Sequence, residues 1–321
     1  MINRRHLLAA GTLAVLALRL PVPALADDEP IKVVASFSIL GDMVQEVGGD
    51  RVRVTTLVGP DGDAHVWQPA PADARTVADA DLVVMNGLGF EGWMDRLVQA
   101  SGYDGPVAVA TTGIVPRKMA EEEDHDHDHD HAGGDDHDHD HDHHHGGTDP
   151  HAWQSLTNAR IYVHNVLEAL IAADSDDKSV FEANAAAYLK KIDALDARIR
   201  AEIASVPAER RKVVTSHDAF GYFEAAYGVE FLAPVGVSTE AEASAGDVAK
   251  LIDQIRAEKI PAVFMENISD PRLLERIASE TDATIGGTLY SDALSPADGP
   301  AATYLDMMDY NVRTLVAALR I

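Results

Sequence analysis

Twenty-nine consecutive residues, Lys178 to Val206, contain neither glycine nor proline. Within them Phe181, Tyr188, Ile192, Leu195, Ile199 and Ile203 recur at spacings of 7, 4, 3, 4 and 4, which is one apolar stripe along an α-helix. At 1.5 Å per residue such a helix extends roughly 40 Å, comparable with a small domain. It divides a 321-residue chain into two stretches, each long enough to bury an ordinary core. A rigid connector between two domains is the reading this position favours over one more surface helix.

Both flanks alternate short β-rich runs with helical stretches. Before the long helix, Ile31–Ala35, Val52–Val58, Leu82–Met85 and Val107–Val109 read as strands, with helical stretches over Ile39–Val47, Ala72–Ala80 and Gly92–Ala100. After it, Lys212–Thr215, Val229–Leu232, Ala262–Met265 and Thr284–Gly286 read as strands. Helical stretches fall at Phe220–Tyr227, Ala245–Glu258, Pro271–Glu280 and Pro300–Leu319. Strands separated by helices imply βα units and a mainly parallel sheet in each half. The fold class is therefore α/β, as two lobes: residues 27–177 and 207–321, with 178–206 as the linking helix.

Residues 1–26 read as a signal peptide. Arg4 and Arg5 precede an apolar run from Leu7 to Leu20, and Ala24-Leu25-Ala26 supplies the small-x-small cleavage pattern. Arg19, Pro21 and Pro23 make the run too short and too interrupted for a membrane anchor. The Arg4-Arg5 pair also resembles a twin-arginine export signal. A soluble, exported and periplasmic mature chain is expected.

The charge balance points to a cation. Lys and Arg number 26 against 53 Asp and Glu, a formal charge of −27. Nucleic acid and anionic membrane surfaces would be repelled. The imbalance is concentrated: Glu121 to His145 holds twelve acids, ten histidines and no Lys or Arg. Asp and His alternate from Asp124 to His131 and again from His137. So polar a glycine-interrupted tract cannot pack a core and reads as a disordered loop over 121–147. Acids alone would serve solubility, so the histidines suggest auxiliary zinc capture by His125, His127, His129, His131, His137, His139, His141, His143, His144 and His145.

With no cysteine, disulfides, thiolate nucleophiles and Cys-ligated metal sites are excluded, and any metal is held by nitrogen and oxygen. Four other histidines lie in the mature chain. His164 falls inside a helical stretch and reads as a surface or packing residue. His65, His151 and His217 fall in loops, His65 and His217 just past strand ends, and Asp292 follows the strand around Ile285. In open α/β sheets ligands bind outside the carboxyl ends of strands, so such loops from two lobes can converge on one cleft. Three histidines and one carboxylate suit tetrahedral Zn²⁺, whereas an oxygen-rich set would suit Mn²⁺ better.

These residues lie in stretches that resemble a known family. Gly59-Pro60-Asp61-Gly62-Asp63-Ala64-His65, Asn86-Gly87-Leu88-Gly89-Phe90-Glu91-Gly92-Trp93, Asp149-Pro150-His151-Ala152-Trp153, Ser216-His217-Asp218-Ala219-Phe220 and Leu289-Tyr290-Ser291-Asp292 are similar to motifs of the metal-specific substrate-binding proteins of ABC importers, the ZnuA/AztC-like cluster A-I family. The resemblance runs from about Ile31 to Leu319. It implies two Rossmann-like (β/α) lobes joined by one long rigid helix, with the metal in the interlobe cleft. It also implies His65, His151, His217 and Asp292 as ligands of transported Zn²⁺, and an ABC permease as partner. Members resembling manganese binders carry a carboxylate where this chain has His217, which favours zinc. Absence of cysteine leans to the AztC-like branch, which implies a periplasmic zinc chaperone as donor. Glu240 and Glu266 lie in family-like stretches and are assigned supporting or lobe-packing roles. A monomer is expected, and affinity should fall as pH drops through roughly 6–7. Two further classes fit three histidines: a zinc hydrolase with an open coordination position, and a metal-buffering adhesin.

Overall fold

The computed structural model describes residues 29–118 and 147–320; the signal-peptide segment and all ten repeat histidines lie outside them. In the first lobe, β1 (Ile31–Phe37), β2 (Val52–Val58), β3 (Leu82–Met85) and β4 (Val107–Val109) form a parallel sheet of order β2-β1-β3-β4. Helices α1 (Ser38–Gly48), α2 (Pro71–Ala78), α3 (Met94–Ser101) and α4 (Leu156–Ala173) belong to the same lobe. Six of the seven β1 residues are buried, as expected of a central strand covered on both faces.

The long helix, α5 (Lys178–Ala204), buries Phe181, Tyr188, Ile192, Leu195, Ile199 and Ile203, the six stripe residues, together with Ala185 and Asp196. Beyond it, β5 (Lys212–Val214), β6 (Glu230–Leu232), β7 (Ala262–Glu266) and β8 (Thr284–Leu289) form a second parallel sheet of order β6-β5-β7-β8. Its helices are α6 (Gly221–Tyr227), α7 (Ala245–Glu258), α8 (Arg272–Ser279) and α9 (Tyr304–Leu319). The α5 helix spans the lobes. Asn184 donates to Val47 O and Lys191 pairs with Glu46, both in α1, while Arg198 pairs with Asp309 in α9 and Arg200 donates to Ala226 O in α6.

One continuous apolar core crosses the lobe boundary, from β1 and α1 through α4 and α5 to Tyr304, Met307 and Leu315 of α9. A smaller cluster around Ile252, Val263 and Ile277 fills the outer part of the second lobe.

Most element ends shift by a residue or two from the sequence expectation, and three of the differences have a clear local reason. Helix α9 begins at Tyr304 rather than Pro300, because Thr303 caps it and accepts from Asp306 N. Helix α3 begins at Met94 rather than Gly92, because Trp93 lies at its cap and turns its indole to Ala64 O at 2.7 Å. Strand β8 continues through Gly286-Gly287 to Leu289. A Cβ on Gly286 would sit 2.4 Å from the Phe264 ring, so the strand needs glycine where a glycine pair reads as a break.

In both sheets the strand order reverses beside the first strand, between β1 and β3 and between β5 and β7. The carboxyl ends at these two points are where ligand-binding loops collect.

Candidate metal centre

His65 follows β2, His217 follows β5, Asp292 follows β8, and His151 sits just ahead of α4. The structure brings all four together. Their nearest nitrogen and oxygen atoms all lie within 4.8 Å of one another, and all four residues are buried. His65 is 8% exposed, against 0%, 1% and 0% for His151, His217 and Asp292. His65 Nε2 lies 3.2 Å from His151 Nε2 and 3.3 Å from Asp292 Oδ2. Asp292 Oδ2 is 3.1 Å from His217 Nε2, and Asp292 Oδ1 is 3.5 Å from His151 Nε2. Tetrahedral bonds of roughly 2.0–2.2 Å give ligand-to-ligand edges of about 3.3–3.6 Å, so the spacing is that of a shell around one ion. Asp292 Oδ1 is buried and has no hydrogen-bond partner, a costly arrangement unless a cation meets it.

Carboxylates hold the rings from behind. Asp149 Oδ1 accepts from both the backbone N–H and the Nδ1–H of His151, each at 2.9 Å. Glu266 Oε1 accepts from Ser216 N at 2.7 Å and His217 N at 3.0 Å, while its Oε2 lies 2.8 Å from His217 Nδ1. Asp63 Oδ1 accepts from His65 N at 2.9 Å. A carboxylate can only accept, so Nδ1 carries the proton in His151; in His217 the Glu266 carboxylate near Nδ1 favours the same tautomer although the two atoms are not aligned as a hydrogen bond, and in both rings Nε2 faces the centre.

The loops are also tied together. Trp153 Nε1 and Gln154 Nε2 both donate to Ser291 O, joining the His151 loop to the Asp292 loop across the lobes. Asn86 Nδ2 donates to Pro150 O beside His151. The Phe90 ring packs edge-on against His65 at 4.7 Å, and Trp153 against His151 at 5.2 Å. Water is thereby kept from this side of the cluster.

The electrostatics describe a site that holds protons when it holds no ion. Burial opposes charge on His151, but the Asp292 carboxylate and the bond from Asp149 outweigh it and push its pKa up to about 9. Burial likewise opposes charge on His217, yet Glu266 and Asp292 raise it well above the ordinary imidazole value. For Asp292, burial favours the neutral acid, but His217 and His151 hold it well below the usual carboxylate range. This corrects the expected pH window of roughly 6–7: the protons that compete with metal are bound more tightly than free imidazole binds them.

Glu266 orients a histidine. Glu240, in contrast, is exposed on a turn where only its backbone N–H bonds Ser238 Oγ, so a supporting role for its side chain is not borne out. His164 is exposed on α4, as its position inside a helix suggested. The sequence reading missed Asp63 and Asp149 as orienting groups. Their signal was present as Asp-x-His, written twice, because an Asp side chain commonly bonds the backbone two residues on.

Comparison with known proteins agrees with the geometry. The family model described as "ZnuA: Zinc-uptake complex component A periplasmic" matches residues 33–318. The manganese-binding lipoprotein MntA of Halalkalibacterium halodurans is 32% identical over 293 residues, covering 91% of this chain and 90% of that protein. The iron-binding protein YfeA of Yersinia pestis is 33% identical over 322 residues, covering 98% and 97%. Among solved structures, the periplasmic zinc-binding protein TroA from Treponema pallidum superposes with a TM-score of 0.79 at 31% identity, over 90% of this chain and 99% of that one. A manganese-bound periplasmic metal-binding protein from Candidatus Liberibacter asiaticus gives 0.76 at 33% identity, over 90% and 99%. The chain thus belongs to the ZnuA family, the metal-binding substrate-binding proteins that work with the membrane permease of an ABC importer and are not enzymes.

Proposed function

We propose that this protein captures Zn²⁺ outside the inner membrane on His65, His151, His217 and Asp292 and delivers it to its permease. The observation that carries this reading is the donor set. Three imidazole nitrogens converge with one carboxylate at ion-shell spacing, and a nitrogen-rich set favours zinc over manganese. A second reading, Mn²⁺ or Fe²⁺ as cargo, is supported by the names of the relatives MntA and YfeA and by two carboxylate oxygens at Asp292 that could chelate a larger shell. Metal analysis of the protein recovered from the cell, where availability as well as the Irving–Williams order decides loading, separates them. One zinc per chain supports the first reading, and manganese or iron in its place overturns it.

Residues 27–177 and 207–321 act as the two lobes, with 178–206 as their connector. Several relatives are named lipoproteins. This chain has no cysteine thiol on which a lipid could be placed, which supports an unlipidated periplasmic protein after removal of residues 1–26.

The repeat histidines His125 to His145 serve as weaker, interchangeable zinc ligands. Support comes from the isolated bridge between Lys118 and Thr148, which joins the two ends of that segment three residues from His151. Metal held there is concentrated beside the cleft. A periplasmic zinc chaperone is a fitting donor to such a tract. Deleting Asp124–His145 should leave one tight site, lower the total zinc bound and slow loading from a chelated source; unchanged stoichiometry in calorimetry counts against the tract.

A further inference from the structure

His65 stands apart from the other ligands. It is the most exposed of the four, and it rides on the Gly59–Trp67 loop, whose contacts with the second lobe are few and identifiable. Asp63 is the centre of them. One of its oxygens accepts from His65 N at 2.9 Å, and the other accepts from Thr239 Oγ1 of the opposite lobe at 2.7 Å. The same carboxylate thus sets the backbone of a ligand and fastens that ligand's loop across the cleft.

Asp61 makes a second fastening. Its Oδ1 accepts from Asn267 Nδ2 at 2.9 Å, and its N–H donates to Leu294 O at 2.9 Å. Asn267 follows Glu266, which orients His217, and Leu294 lies two residues after Asp292. Asp61 has φ of +55°, a left-handed backbone that a non-glycine residue adopts at a cost when its surroundings hold it there. The loop is therefore held in a bent form by partners on the other lobe.

Beside these bonds lies a cleft of about 630 Å³, lined by Asp63, Ser216, His217, Val235, Thr239 and Leu274 among others. It reaches the buried cluster at His217. Both partners of the Asp63–Thr239 bond are among the residues that line it.

We infer that Asp63 and Thr239 form a clasp that holds the His65 loop over the metal and sets how fast the ion leaves toward this cleft. The inference rests on the metal-site reading above and adds a positioning function for two residues that touch no ion. A hydrogen bond from a neutral hydroxyl to a carboxylate is charge-assisted, and even at the weak end of that class its loss should speed dissociation about tenfold.

The decisive variant is Thr239→Val, which keeps the shape of the side chain and leaves the Asp63–His65 bond in place. Full mature chain, loaded with one equivalent of Zn²⁺, is mixed with excess chromogenic chelator, and the release rate is followed by stopped flow. Release about tenfold faster, restored by Thr239→Ser, is the expected result. The Co²⁺-loaded variant should keep the wild-type visible spectrum, because all four ligands remain. Asp63→Ala should also release faster, and adding Thr239→Val to it should change nothing more, since the bond is already gone. An unchanged release rate in Thr239→Val, or an altered Co²⁺ spectrum, overturns the clasp. Failure of the wild-type chain to bind one ion at all overturns the metal-site reading instead, so the two failures are distinct.

Discussion

Loading one divalent ion into the cluster should expel about two protons at pH 7, one each from the raised His151 and His217 imidazoles. Asp292 and Asp149 push the His151 pKa up to about 9, so its ring is mostly charged at that pH. His217 is raised by the same Asp292 and by Glu266. In each ring the Nδ1 proton is kept by a carboxylate behind it, so the proton lost is the one on Nε2. Two unit charges leave and one dication enters, which keeps the net charge of the buried cluster constant. Displacing the His151 proton alone costs about 3 kcal/mol at pH 7, at about 1.4 kcal/mol for each pKa unit.

The sign follows from the direction of these shifts. A raised imidazole is charged below its pKa and competes with metal there, so affinity rises with pH through and above neutrality, and the His151 contribution levels off above about 9. Between pH 7 and 8 the gain should be about tenfold per proton, or about a hundredfold if both rings contribute. Calorimetric titrations in buffers of different ionisation enthalpy count the protons directly. Asp149→Asn, which keeps an acceptor for His151 Nδ1 but removes the negative charge beside it, should lower the count toward one. A count near zero at pH 7, or an affinity that is flat from pH 7 to 8.5, refutes the reasoning.

Other outcomes follow from the same contacts. Alanine at His65, His151 or His217 should abolish tight one-to-one binding, whereas Asp292→Ala should weaken it less, because water can take the oxygen position; equilibrium competition with a chelator ranks them. Glu266→Gln keeps the backbone acceptor but discharges the group facing His217 Nδ1, and should lower affinity by roughly 10- to 100-fold with little change in the melting curve of the metal-free chain. Gly286→Ala drives a methyl group into the Phe264 ring and should cost about 1–3 kcal/mol in denaturant unfolding. Ile192→Ala, at the fully buried middle of α5, should cost about 2–5 kcal/mol in the same measurement.

Much of this architecture is legible in the residues. Val52–Val58, Leu82–Met85 and Val107–Val109 form strands over the spans that their β-branched runs predict. The stripe from Phe181 to Ile203 is the buried face of α5 because nothing in that stretch can break a helix. Less legible are ends set by side chains acting at a distance. Trp93 leaves α3 to bond Ala64 O, and Gly286 continues β8 because Phe264 occupies the space above it. The same division holds at the site. Asp63 and Asp149 stand two residues before their histidines and can be read from that spacing, but Glu266 is 49 residues from His217. Glu240 looked as suitable as Glu266 and faces solvent, because only the path of the fold distinguishes an acid at the last position of β7 from one on a turn beyond β6.

How an ion reaches a site this enclosed is decided by comparing two costs. A wide opening of the lobes would separate Trp153 from its partners across the boundary. Trp153 Nε1 bonds Ser291 O, and Trp153 O accepts from Tyr304 Oη of α9, whose backbone N–H is in turn held by Asp42 of α1. Trp153, Tyr304 and Phe37 are fully or almost fully buried in the core that both lobes share. Exposing three such aromatic side chains costs on the order of 10 kcal/mol, at about 25 cal/mol for each Å². Releasing the Gly59–Trp67 loop breaks the side-chain bonds of Asp61 and Asp63 to the other lobe, the Asp61 N–H bond to Leu294 O and the Trp93 bond to Ala64 O, but exposes no fully buried aromatic ring of the shared core. The loop is therefore the route that disturbs less of the core. On the proposed metal-site reading, His151, His217 and Asp292 are the standing part of the site, fixed to the interlobe core and to Glu266, and His65 is expected to close on the ion last and leave it first; a His65→Ala chain that still loads and releases Zn²⁺ at the wild-type rates refutes this order.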